Sequence, residues 1–259
     1  MQFNMQKITA IIPCKNEAHN LDAVLQTVSW CDEIMVVDSY SSDGSIEIAR
    51  KYTNTILKHD YLNSANQKNW AIPQAKHEWI LLVDADERVT SELKEEIITT
   101  LAKNTSFDAF SIGRQNYFLG KKIRFSGWQN DRVIRLFNRD KCRYEEKWVH
   151  SEIVASAPIG KLHCKLLHFT YKNESHYKEK MERYARWGAL EAAKKIKHPN
   201  AFHLILKPAF SFFKHFIIDL GFLDGYPGFI ISIYAAKSVR MRFLNLKKIR
   251  RQEHASKAI

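Results

Sequence analysis

The first hundred residues switch repeatedly between two hydrophobic periods, and that alternation restricts the fold more than any other feature of the chain. Ile8 to Ile12 is a short apolar run closed by Pro13, after which Leu21, Val24, Leu25 and Val28 recur at helical spacing. Glu33 to Val37 (EIMVV) reads as a second strand. DSYSSDGS, from Asp38 to Ser45, is a polar turn cluster in which Asp43 is a candidate N-cap for a helix through Ile46, Ala49 and Arg50. Thr55 to Leu57 gives a third strand, Ala65 to Ala75 a helix, and Trp79 to Val83 a fourth strand. Strands alternating with helices predict an α/β domain built on a mainly parallel, helix-covered sheet. In such sheets ligands collect beyond the carboxyl ends of the strands. That rule puts Pro13 to Glu17, Asp38 to Asp43 and Asp84 to Asp86 along one edge.

Beyond a helix that starts near Thr90 the apolar runs shorten and mix with Arg and Lys, as in DAFSIGRQNYFLGKKIRF and DRVIRLFNRD. A β-rich second half of the same domain is expected there. From Ser175 the pattern is helical to the end. The expected organisation is a catalytic domain over residues 1–172, divided near 103, followed by a basic helical region over 173–259. The opening MQFNMQKITAIIPCKNE lacks the form of a signal peptide. The four cysteines (Cys14, Cys31, Cys142, Cys164) contain no CxxC pair and read as reduced thiols rather than a zinc site. Both readings place the chain in the cytosol. The formal charge of +12 asks for an anionic partner: a nucleic acid, a membrane surface or a phosphorylated substrate.

WILLVDADERV, residues 79–89, narrows that choice by putting Asp84, Asp86 and Glu87 at the end of the most hydrophobic strand. In extended backbone, residues i and i+2 point the same way, so Asp84 and Asp86 are expected to face one space. Both stay ionised if Mg²⁺ or Mn²⁺ bridges them to substrate phosphates. The alternative is that such acids cap the following helix in solvent, which is the expectation for Glu87 and Glu92.

Three ordered blocks, ITAIIPCKNEAHNL, EIMVVDSYSSDGS and NQKNWAIPQAKHEWILLVDADERV, resemble the inverting family 2 glycosyltransferases of GT-A fold. The resemblance implies a nucleotide-sugar donor lying across the strand ends. It implies that Pro13 to Glu17 form the first nucleotide-contacting loop, with Glu17 near the ribose or base, and that Asp38 receives the uracil. Asp84 is similar to the first Asp of the family's DxD, facing the nucleotide, and Asp86 to the second, holding the metal on the diphosphate. Lys68 and Asn69 fall where the family has a basic-Asn pair before the DxD. Ser39 departs from the pattern, because many members carry a second Asp there.

The segment EEKWVHSEIVASAPIGKLHCKLLH resembles the region after RLF in bacterial lipopolysaccharide-core glucosyltransferases, where a V-H-E run holds the family's catalytic acid. Here Ser151 separates His150 from Glu152. Glu152 is the first candidate for general base; His150 is the second, or a metal or diphosphate contact. His163 and His168 are five apart, on opposite strand faces, and are not expected to share a metal. Arg114, Arg132 and Arg135 are candidates to reach a diphosphate or an acceptor phosphate.

The segment from Gly225 to Gln252 carries seven basic residues and no acidic one, and Phe210, Phe212, Phe213, Phe216, Ile217 and Ile218 precede it. No apolar run reaches the roughly 18 residues of a spanning helix, whereas an interfacial helix on anionic lipid suits this composition. The expected whole is a metal-dependent inverting transferase at the inner face of the cytoplasmic membrane, using UDP-glucose and a lipid-linked acceptor. A basic membrane- or nucleic-acid-binding protein, an Asp-nucleophile phosphatase and a nucleotidyltransferase are the rivals. No zinc finger or RNP-like run supports nucleic-acid binding, the DxD follows the fourth rather than the first strand, and PCKNEAHN has no glycine to cradle a phosphate.

Overall fold

A computed structural model describes residues 6–103, 105–145, 152–171 and 173–256. The chain divides into two compact units, one of Met1–Gln115 with Asp131–His168, the other of Asn116–Asn130 with Phe169–Ile259.

The first unit opens as the alternating periods require. β1 (Ile8–Cys14), α1 (Ala18–Val28), β2 (Glu33–Asp38), α2 (Ser45–Ala49), β3 (Ile56–Lys58), α3 (Ser64–Ala71) and β4 (Trp79–Leu82) follow in order. A two-residue strand, β5 (Glu87–Arg88), leads into α4 (Ser91–Leu101). Thr90 caps α4 by accepting the Leu93 amide at 3.2 Å. The sheet runs β3-β2-β1-β4-β8-β6-β11-β5, with β6 (Ala109–Phe118), β8 (Arg132–Asn138) and β11 (Ile159–Tyr171) supplied by the second half of the chain. β1 pairs in parallel with β2 and β4, and β2 in parallel with β3. β8 joins β4 antiparallel, β11 pairs antiparallel with β5, and the two-residue β7 (Lys121–Lys122) pairs antiparallel with the end of β6. The sheet is therefore mixed, parallel only where helices α1 to α3 provide crossovers.

Strand alternation sorts the core onto two faces. Ile8, Ala10, Ile12, Val36 and Leu81 pack with Leu21, Leu25, Leu93 and Ile97 of α1 and α4. Ile11, Met35, Val37, Ile80 and Leu82 point the other way, onto Ala65 and Ala71 of α3 and onto Tyr144 of β9 (Cys142–Tyr144). Glu96 of α4 accepts the backbone amides of His163 and Cys164 at 2.7 and 2.8 Å, tying that helix to β11. All four cysteines are free, with Cys14 and Cys142 buried and Cys31 and Cys164 half-buried.

In the second unit, α5 (Glu174–Ala193) packs along α7 (Tyr226–Ser256). Phe118, Ile123, Tyr177, Ile230, Ile231 and Tyr234 make one aromatic-rich cluster, and Glu174 accepts the Tyr234 hydroxyl at 2.9 Å. Between them runs a helical stretch, 202–218, in which α6 (Lys207–Phe213) is flanked by π-helical turns.

Candidate active site

Two loops meet beyond the carboxyl ends of β1 and β2, where the parallel register sets Pro13 beside Val37 and Cys14 beside Asp38. Asn16 adopts a left-handed φ of 55°. That turn lets its amide donate to Ser41 Oγ at 2.9 Å while its side-chain oxygen accepts the Ser42 amide at 2.8 Å. Asp43 accepts the Ala18 amide, and Ser45 Oγ accepts the Glu17 amide. Asp38, at 1% exposure, holds the turn from below by accepting the Ser41 amide. Asp43 also accepts the Ser45 amide at 3.0 Å, although the residue preceding α2 is Gly44 rather than Asp43. Glu17 precedes α1 and binds the Asn20 amide group at 2.9 Å. Polar side chains of both segments are thus spent on holding the two loops together.

The acidic segment is a turn and not extended chain: the Glu87 amide donates to the Asp84 carbonyl at 2.9 Å. This turn gives the two aspartates different partners and replaces the extended backbone on which their expected shared orientation was argued. Asp84 lies 3.2 Å from Lys68 Nζ and also binds the Arg135 guanidinium. Burial pushes the Asp84 carboxyl up, but the charges of Arg135 and Lys68 override that and hold it well below the usual carboxylate range. Asp86 faces His168 of β11, with Nε2 3.5 Å from the carboxylate. Both side chains keep some exposure, 24% and 12%.

Glu87 reverses the expectation of a solvated acid at a helix start. Its side chain is fully buried. It accepts the Asp84 amide at 3.1 Å, two N–H groups of Arg135 at 3.0 and 2.8 Å, and Arg114 Nη1 at 3.4 Å. Arg114 in turn grips Asp131 with two bonds of 2.9 and 2.8 Å. Asp84, Glu87 and Asp131 are therefore matched by Lys68, Arg135 and Arg114. The question raised by a cluster of acids on a hydrophobic strand is answered here by the chain's own cations. Arg88 crosses the turn, donating to the carbonyls of Ala85 and Glu87 and to Asn20.

Arg114 and Arg135 are occupied by internal carboxylates, and Arg132 donates to the carbonyls of Ser111 and Leu162 at 2.6 and 2.7 Å. All three serve to position strands in this structure rather than to present a fork to a phosphate. Asn69 exchanges two 2.8 Å bonds with the backbone of Tyr144, so its amide anchors β9 instead of facing the strand ends. Lys68 lies 5.4 Å over the Tyr144 ring. Glu152 is exposed, and its carbonyl accepts the Glu145 amide ahead of β10 (Ile153–Ala155). His150 lies outside the described residues. Two participants escaped the sequence reading: His168, set aside because it could not pair with His163, and Glu87, read as solvated. The β5–β11 pairing, with His168 opposite Glu87, brings His168 here, and no local pattern announces a pairing so distant in sequence.

The conserved-family model described as glycosyl transferase family 2 matches residues 9–158. The chain belongs to that family. This transferase is an enzyme of GT-A fold, and the binding-protein, phosphatase and nucleotidyltransferase readings fall away. It is 28% identical over 258 residues to the lipopolysaccharide core biosynthesis glycosyltransferase LpsC of Rhizobium meliloti (strain 1021), covering 97% of this chain and 94% of that one. It is also 28% identical over 276 residues to an uncharacterized glycosyltransferase of Rickettsia felis, covering 98% and 93%. Among solved structures, S. aureus TarS 1–349 in complex with UDP-GlcNAc is similar at a TM-score of 0.49 and 15% identity, over 96% of the transferase and 92% of that 1–349 chain.

The low Asp84 pKa has a consequence for stability. A carboxylate whose folded pKa is depressed stabilises the native state above its unfolded pKa, near 3.9, and loses that contribution as pH falls below it. Asp84→Asn is therefore expected to lower Tm at pH 7, with the gap from the wild type narrowing below about pH 4. A gap that stays constant between neutral and acidic pH would remove the ion pairs as its cause.

Proposed function

We propose that this transferase moves a sugar, with UDP-glucose as first candidate donor, onto a lipid-linked saccharide of the lipopolysaccharide-core kind. The reaction proceeds with inversion, uses a divalent metal, and takes place at the inner face of the cytoplasmic membrane. The observation that carries this reading is the Asp86–His168 pair, 3.5 Å apart and partly exposed, beside the buried network of Asp84, Glu87, Lys68 and Arg135. The name of the LpsC relative, matched along nearly the whole chain, supports the acceptor class.

Among the described residues no cluster of three or more His, Cys, Asp or Glu could enclose a metal by itself. One carboxylate and one imidazole would suit Mn²⁺ better than Mg²⁺, which prefers oxygen donors alone. When bound by Asp86 and His168, such an ion supplies positive charge to the departing diphosphate. Asp84, held ionised by Lys68 and Arg135, orients the turn that presents Asp86 and faces the nucleotide side. Asp38, at the end of β2, and Glu17, in the loop after β1, stand where the resemblance puts the uracil and the ribose. The acceptor oxygen bonds to the anomeric carbon as the bond from that carbon to the diphosphate oxygen breaks. Its proton passes to the Glu152 carboxylate, which lies exposed and within reach of solvent.

Calorimetric titration of UDP with and without Mn²⁺ tests the donor site, with transfer assayed in parallel. Metal-dependent UDP binding is expected, and Glu152→Gln is expected to retain it while losing transfer by about 10²–10⁴-fold. Absence of UDP binding under both conditions would overturn the donor reading. Normal turnover by Glu152→Gln would send the base role to another residue.

A further inference from the structure

The helical stretch 202–218 is apolar on two sides. Its inner side is accounted for: Leu204 joins a cluster with Phe243 and Leu246 of α7, and Phe212 and Phe216 meet the Phe229 ring at 6.3 and 6.0 Å. The other side is not. Phe202, Ile205, Leu206, Phe210, Phe213 and Ile217 are each 44–64% exposed. Their spacings of 3, 1, 4, 3 and 4 residues place them on one face of a helix. The apolar surface continues through Phe222 and Leu223 in the turn that follows. Monomeric proteins rarely leave so many large apolar side chains contiguous and open to water.

Charge identifies the occupant. From Glu191 to Asp219 the chain has five lysines and two acids, Glu191 and Asp219, which pair with Lys194 and Lys214 and leave an excess of three positive charges. An apolar groove of about 280 Å³ between α6 and α7, floored by Pro208 and Phe212, is bordered by the exposed cations Lys237 and Arg240. Pressing two copies together through this face would oppose like charges, whereas lipid phosphates complement them. Among the described residues no helix is long and apolar enough to cross a membrane. We propose that the 202–218 face docks onto an anionic phospholipid bilayer, with Phe210 and Phe213 entering the acyl boundary and Lys237 and Arg240 engaging lipid phosphates at the groove. This deepens the reading of a lipid-linked acceptor by naming the surface that brings the enzyme to it.

The test is flotation of the full chain with phosphatidylcholine vesicles with and without phosphatidylglycerol, free of sugar donor and acceptor. Binding to the anionic vesicles is expected. Phe210→Ser with Phe213→Ser should weaken it by at least about tenfold. Lys237→Ala with Arg240→Ala should weaken it by about 30-fold and remove the preference for anionic lipid. UDP titration of each variant, unchanged from the wild type, shows that the fold is intact. Failure of the wild type to bind either vesicle, or variants that bind as it does, would overturn the proposal and leave the donor reading untouched. Self-association abolished by the Phe210 and Phe213 changes, without vesicle binding, would overturn it in favour of an interface between copies. Loss of UDP binding with vesicle binding intact would strike the donor reading alone.

Discussion

Replacing Glu87 with alanine is expected to destabilise the transferase by about 3–5 kcal/mol, the cost of leaving a buried ion pair without one partner. The change strips Arg135, whose side chain is 5% exposed, of its two-bond partner, and takes an acceptor from Arg114 and from the Asp84 amide. Asp84 and Asp131 remain to hold the two arginines, which sets the loss within that range instead of above it. Glu87→Gln retains one carbonyl oxygen and is expected to fall between the two. Urea unfolding at pH 7 measures this as a lower midpoint at unchanged m-value. A loss below about 1 kcal/mol, the scale of an exposed pair, would mean that the network is solvated and that Glu87 does not organise the turn.

The largest effect on turnover is expected from the Asp86–His168 pair. On the proposed reading, Asp86→Ala and His168→Ala each lower the rate of transfer by about 10²–10³-fold, the size of losing one preorganised stabiliser of the leaving group. Because the two act on one ion, the double variant should be little worse than either single variant. Both side chains are partly exposed, so Tm should fall less than for Glu87→Ala. The measurement is a metal titration of initial rate, in which the variants need far more Mn²⁺ or lose the response. Unchanged metal dependence in His168→Ala would separate that residue from the metal. Additive losses in the double variant would indicate two independent roles.

Much of the first unit was legible because its strands are buried on both faces and bounded by turn residues. EIMVV became β2 and WILLV became β4, extended by the Val83 amide bonding to Ile11. Pro13 and Asp38 fall in the last residues of β1 and β2, and Glu17 in the loop after β1, at the strand ends where the parallel-sheet rule puts them. The limit came where a side chain's partner lies far along the chain. Glu87 follows a hydrophobic strand and precedes a helix, so local rules make it a solvated first-turn acid; only the arrival of Arg135 and Arg114 on β8 and β6 buries it. The same blindness made arginines on strands look available to phosphate. For His168 the face argument against sharing with His163 was sound, since His163 is exposed while its amide binds Glu96. It left unasked which residue from another strand stood opposite.

The mutual bonding of Asn16 with Ser41 and Ser42, and of Asp43 and Ser45 with Ala18 and Glu17, has a practical meaning for redesign. Neither loop has an independent length. A residue inserted into PCKNE displaces the acceptors on which DSYSSDGS depends, and a deletion in the second loop leaves amides of the first unmatched. Grafting a new donor preference onto this scaffold therefore means transplanting both segments as one cassette, with the six-residue strand β2 between the helix α1 and the second loop kept in register.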